Sequence, residues 1–241
     1  MDCSMASTML LRQENAIAVP QLRLSTGIYR VDQFLDGFYS SHLYHATGTS
    51  QVVQDMCTRL MVQVVQQFDG SIVYLDGGNS IDPYHIARRA RSQQADADSV
   101  LSHIHVARAF TAYQLDTLIN RIPDYVQEFA PQLVIVNCVT DLLHDKDVPR
   151  QEAHRLLHHW LPRIKQQAAI NNHVALVTSR THDSFSHLCR RQAYDSYSFN
   201  RHGDSVRVTI ADHQQPCWYQ PVSLFQATLE DFMEEPVWAE Q

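Results

Sequence analysis

Lysine, glycine and paired cysteine are what this 241-residue sequence has little of. Lys146 and Lys165 are its only lysines, the other bases are arginine, and the formal net charge is −7. That excludes the broad basic face of a strong nucleic-acid binder. Five cysteines (Cys3, Cys57, Cys138, Cys189 and Cys217) make an odd count and form no CxxC pair, which argues against a disulfide scaffold and for a reducing compartment. No apolar run approaches the roughly 20 residues a membrane span needs. MDCSMASTMLLRQENAIAVPQL has no basic lead before its apolar patch, so no secretory signal is expected. The expected location is the cytoplasm, or the nucleus if the source is eukaryotic. Glycine numbers only seven, and the shortage matters most at one position, Val53.

What is present is an ordinary globular composition, 44% apolar and 19% charged, with ample chain for a full core. The acid is unevenly placed. Asp212, Glu230, Asp231, Glu234, Glu235 and Glu240 lie after residue 207 with no base among them, while the preceding body is nearly neutral. Residues 1–20 read as a loose arm and residues 21–241 as one core domain with an acidic C-terminal segment.

Along that core, strand and helix patterns alternate. Val52 to Phe68 repeats apolar residues at helical spacing, and SIVYLDGG is a β-branched buried strand stopped by glycines. Asp82 and Pro83 open the next helix as N-cap and first-turn proline. HIHVARAF reads as a strand, TAYQLDTLINRIPDYVQEF as one helix, and PQLVIVNCVTDLL as the most apolar strand. RQEAHRLLHHWLPRIKQQAAINN is a long amphipathic helix and HVALVTSR the next strand. After Arg180 the pattern changes to short strands and turns, followed by a last amphipathic piece, SLFQATLEDFMEE. Alternation of this kind predicts an α/β fold, a mainly parallel twisted sheet with helices on both faces and antiparallel strands added at its C-terminal end.

The order and wording of these segments resemble the core ATPase domain of the RecA/RadA recombinase superfamily, especially the archaeal-type RadA paralogues. LSTGIYRVDQFLDGF is similar to the family's lead-in, HIHVARAF to the paralogues' ARAF strand, and PQLVIVNCVTDLL falls where the Walker B strand belongs. The resemblance covers roughly residues 22–215 and implies a RecA-like three-layer sandwich. It also implies a nucleotide site, whose chemistry needs GxxxxGK[ST]: glycines that bare backbone N–H groups, a lysine, and a hydroxyl for magnesium.

The aligned stretch here is GTSQVVQD. Gly48 is kept, but Val53 replaces the second glycine, Gln54 the lysine and Asp55 the hydroxyl. Asp55 is expected beside the position of a bound phosphate, where like charges about 4 Å apart repel by roughly 4 kcal/mol at an effective dielectric near 20. Gly78 stands where the family's water-positioning glutamate belongs, and Asn137 replaces the Walker B aspartate. Cation, hydroxyl, base and metal carboxylate are missing together, so the expectation is a pseudo-ATPase with no cofactor and no catalytic residue. Asp76, Asn79 and Asn137 lie at strand ends where open α/β sheets place their sites, with turn and capping roles as the alternative.

His154, His158 and His159 share a helix, yet no H-E-x-x-H motif accompanies them, and no metal site is expected. No G-x-S-x-G motif is present. The candidate DNA-facing segment is 180–207, where the resemblance places a DNA-binding loop. Arg180, Arg190, Arg191, Arg201 and Arg207 there are interleaved with Phe185, Tyr194, Tyr197 and Phe199, a combination able to follow a phosphate backbone and stack bases. The implied partners are a recombinase, a recombinase paralogue or, weakly, single-stranded DNA, in a homo- or hetero-oligomer and without a membrane. A scaffold or regulatory subunit outside DNA repair is the alternative, and an enzyme with a rebuilt strand-end site is a third reading.

Overall fold

β-branched and aliphatic runs bounded by turn residues become strands wherever both faces can be covered. In the computed structural model, which describes residues 21–180, 183–211 and 215–221, this happens eight times in one sheet. The chain begins with a short ribbon, β1 (Arg23–Leu24) against β2 (Phe38–Tyr39), around helix α1 (Tyr29–Leu35). Asp32 fastens the entry to α1 by accepting hydrogen bonds from the Thr26 and Ile28 amides at 2.6 and 3.1 Å.

The main sheet then alternates with helices: β3 (Leu43–Gly48), α2 (Ser50–Phe68), β4 (Ile72–Asp76), α3 (Pro83–Ser92), α4 (Ala97–Ser102) and β5 (Ile104–Arg108). There follow α5 (Ala112–Asn120), α6 (Ile122–Phe129), β6 (Leu133–Asn137), α7 (Arg150–Asn171), β7 (Val174–Arg180) and α8 (Ser186–Gln192). β8 (Asp195–His202), β9 (Ser205–Ile210) and β10 (Cys217–Tyr219) complete it. The strand order is β10-β9-β8-β3-β7-β6-β4-β5, parallel from β8 to β5, with β9 and β10 antiparallel.

Two cores separate the three layers. On one face Tyr44, Tyr74, Ile135 and Leu176 pack with Met56, Leu60 and Val64 of α2. On the other Leu43, Val73, Val134 and Val177 pack with Leu115, Leu157, Trp160 and Ile164. All five residues of β4 and of β6 are buried, as two-sided cover requires. The fold is therefore the RecA-like α/β sandwich with an antiparallel C-terminal addition.

Three local differences from expectation have physical reasons. The stretch read as one helix divides at Arg121, because Pro123 cannot donate a backbone bond to the preceding turn. Pro162, by contrast, lies inside α7 without ending it, since Ala153, Leu157, Trp160, Leu161 and Ile164 are buried along one side. Helix α8 occupies part of the segment read as strands and turns; its seven residues are too few to show a period. The arm and the final amphipathic piece lie outside the described residues.

Candidate functional site

The junction between β3 and α2 is where the aligned phosphate-loop residues fall. Only Thr49 separates the end of β3 from the start of α2. The amides of Val52 and Val53 already donate to the Thr49 carbonyl at 3.0 and 3.1 Å, so the helix consumes groups that a phosphate loop would leave bare. Gly48 lies in the strand, and a Cβ there would collide with the Phe199 carbonyl oxygen of β8. Close approach of two strands requires this glycine. Val53 is helical and buried in the core. The Gln54 amide donates to the Ser80 carbonyl and ties α2 to the turn after β4.

Asp55 departs from expectation. Its carboxylate does not stand beside a phosphate position but turns toward α3, 2.5 Å from Arg89 and 3.5 Å from His85, and pairs with Arg59 at 3.1 Å. Side-chain exposure is 15% for Asp55, 9% for Arg59 and 7% for Arg89. Burial alone would raise this carboxyl, but the His85 hydrogen bond and the two guanidinium charges hold it well below the usual carboxylate range. Asp55 therefore belongs to an internal charge cluster, turned away from the position where a phosphate was expected.

The second group sits at the ends of β4 and β6. Asp76 is fully buried and accepts from the amides of Gly78, Ser80 and Ile81 at 3.2, 3.0 and 3.1 Å, so its carboxylate organises the turn that follows its own strand. Asn137 donates to Asp76 Oδ1 at 3.1 Å and to Ser80 Oγ at 2.8 Å, and accepts from Thr178 Oγ1 at 2.9 Å. A Cβ on Gly78 would stand 2.7 Å from Cys138 Sγ, so this packing has no room for a side chain at that position. Burial pushes the Cys138 thiol up to about 12, which keeps it neutral and a poor nucleophile.

Beside this network lies an open cleft of about 680 Å³, lined by Gly78, Asn79, Phe110, Asp141, His144, Arg180 and Asp183 among others. Its polar groups are mutually engaged: Arg180 pairs with Asp141 at 2.6 Å, and the His144 ring lies 3.1 Å from the Asp183 carboxylate. Among the described residues no group of three His, Cys, Asp or Glu side chains is arranged to hold a metal ion.

Segment 180–207 does not assemble one groove. Arg180 is engaged at the cleft, Arg190 donates to the Ala211 carbonyl at 3.0 Å, and Arg191 closes α8. Arg201 lies on the β8–β9 hairpin and Tyr194 is exposed, with its ring 4.2 Å from His42. Tyr197 is a correction: it is fully buried, edge-on to Phe38 at 5.3 Å and stacked on Tyr44, so no base can reach it. Alternation along β8 turns odd-numbered Tyr197 and Phe199 into the core.

Sequence reasoning missed His45. It is buried between strands, its ring nitrogens 2.8 Å from Ser196 Oγ and 2.9 Å from Ser179 Oγ, and burial lowers it to about 4. It pins three strands together as a neutral ring. A histidine in a short strand carries no pattern that would have announced this.

A mainly parallel sheet with this strand order, sandwiched by helices and extended by antiparallel strands, defines a RecA-like α/β protein. Residues 19–183 match the Rad51 family, and the chain belongs to that family. Membership supports a role related to recombination and repair, and in general terms interaction with recombinases or DNA. No described helix is long and apolar enough to cross a membrane.

Proposed function

We propose that this Rad51-family chain is a non-catalytic, RadA-like paralogue, a pseudo-ATPase that assists homologous recombination and DNA repair by contact rather than turnover. It binds a recombinase, another paralogue or single-stranded DNA, and stabilises or caps a recombinase filament in the cytoplasm, or in the nucleus of a eukaryote. The observation that carries this reading is the β3–α2 junction: α2 starts at Ser50, and the phosphate-loop positions are spent on helix bonds, core packing and the Asp55 charge cluster. The strand-end network supports it, because Asp76 and Asn137 are already saturated by their neighbours.

A second reading, a scaffold acting only by protein contact outside DNA repair, draws on the dispersal of Arg180, Arg190, Arg191 and Arg201. Affinity purification from the native cell separates the two. Recovery of a recombinase or a paralogue is the expected result, and recovery of neither, under conditions that preserve known recombinase assemblies, removes the repair role.

A further inference from the structure

Helix α3 turns one side inward and leaves the other open. Ile86, Ala87, Arg89 and Ala90 are buried, while Tyr84, Arg88 and Arg91 are exposed, Tyr84 by 83%. The exposed three are spaced i, i+4 and i+7, so they form one stripe along the helix. The neighbouring charge cluster takes Arg59, His85 and Arg89 to Asp55 and leaves Arg88 and Arg91 without a carboxylate partner among the described residues. The nearest carboxylates in sequence are committed elsewhere. Asp82 accepts from the Tyr84 amide at 2.9 Å, and Asp96 from the Asp98 and Ser99 amides, both at 3.3 Å. Asp98 stands in the first turn of α4, where the helix dipole favours it.

The described chain ends beside this helix. β10 packs on α1, with the Cys217 thiol donating to the Arg30 carbonyl at 3.5 Å. Tyr219 is buried in the same core as Ile86 and Ala87 of α3. Burial raises its hydroxyl, and the charges of Asp55, Arg59 and Arg89 act on it as well, which places the end of β10 next to the α2–α3 cluster. Residues 222–241, outside the described residues, carry Glu230, Asp231, Glu234, Glu235 and Glu240 with no lysine, arginine or histidine. The stretch from 221 to Glu230 can extend over roughly 27 Å, against about 15 Å for the whole of α3. The acidic run therefore reaches any point of the stripe.

We propose that the Tyr84–Arg88–Arg91 face of α3 is the docking site of this chain's own C-terminal segment, with the acids at 230–235 paired to Arg88 and Arg91. Tethering holds the segment at an effective concentration in the millimolar range, which favours it over a second copy or a free partner of the same charge. An acidic segment of another protein can use this face only by displacing it. The proposal stands apart from the recombination-related reading and from nucleotide binding.

Zero-length coupling of amines to carboxylates reads the contact directly, because Lys146 and Lys165 are the only native lysines. In the full chain carrying Arg88→Lys and Arg91→Lys, carbodiimide condenses a lysine amine with a carboxylate, with loss of water. Peptide mass spectrometry should join position 88 or 91 to Glu230, Asp231, Glu234 or Glu235 at low salt. The yield should fall several-fold at about 1 M salt, where the Debye length is roughly 3 Å. Mixing unlabelled with isotope-labelled chain should leave the coupled peptides unmixed. Hydrogen exchange is the second measurement. Arg88→Glu with Arg91→Glu should speed exchange of residues 222–241 by about 2- to 30-fold, as expected for two exposed ion pairs. Adding Glu230→Arg and Glu234→Arg should restore it, while unchanged exchange in β4 and β6 shows that the fold is intact. Coupling at positions 88 and 91 no greater than at Lys146 and Lys165 overturns the proposal. So do coupled peptides of mixed label, which assign the acids to a second copy, and exchange of 222–241 indifferent to the charge reversal.

Discussion

Replacing Asp55 with asparagine tests whether this largely buried carboxylate is structural. The substitution keeps the side-chain shape and removes one charge, leaving Arg59 and Arg89 facing each other with only 9% and 7% of their side chains exposed. Breaking a buried ion pair by removing one partner costs about 3–5 kcal/mol, because the remaining charge is stranded away from water. In a domain of this size that corresponds to a fall in Tm of about 6–20 °C, a large share of a total stability of about 5–15 kcal/mol. Urea unfolding followed by far-UV circular dichroism measures it.

The pH dependence gives a second reading of the same cluster. The folded-state pKa of Asp55 is depressed, so its contribution is fully present above the unfolded value near 3.9 and is lost as pH falls toward the folded one. The stability gap between wild type and Asp55→Asn should be present at neutral pH and should narrow below about pH 4. A gap under about 1 kcal/mol at pH 7, the range of an exposed ion pair, would refute the structural role.

Three further substitutions probe the strand ends and the core. Gly78→Ala forces a methyl group onto Cys138 Sγ and should destabilise by about 1–3 kcal/mol in thermal unfolding, with no gain of hydrolysis. Asn137→Asp sets a second carboxylate about 3 Å from Asp76; one of the two should then take up a proton, with a raised folded pKa. That variant should lose about 2–4 kcal/mol, with the loss growing as pH rises from 5 to 8, measured by chemical denaturation across pH. Tyr197→Ala should cost about 3–5 kcal/mol by cavity formation while leaving the nucleic-acid affinity of the folded protein unchanged in anisotropy titrations.

The mainly parallel sheet was legible because β4 and β6 are apolar runs up to their last residue and α2 keeps an apolar period over its whole length. The cap at Asp82 and Pro83 also sits where its chemistry puts it, with the Asp82 carboxylate accepting from the Tyr84 amide at 2.9 Å. The division of α5 from α6 was hidden because apolar spacing continues through Arg121 while proline quietly removes a donor.

At the candidate site, sequence told which side chains were missing but not where the new ones turn. Asp55 is one helical turn from Arg59, and such pairs can be guessed; Arg89 comes from another helix, and only the tertiary packing brings it to 2.5 Å. The same holds for the pairing of Arg207 with Trp218 and Asn200, which depends on strand register across the antiparallel addition. Gly48 illustrates the converse: a residue that matches the family motif is held in place by a strand neighbour, Phe199.

Calorimetric titration of the folded chain with ATP in the presence of magnesium is the most direct measurement of whether this Rad51-family member works by contact alone. With α2 beginning at Ser50 and Asp55 locked to Arg59 and Arg89, no saturable heat is expected up to millimolar ATP, a dissociation constant weaker than about −4 kcal/mol of binding energy. A sub-millimolar dissociation constant, or phosphate release above a buffer blank, would contradict it.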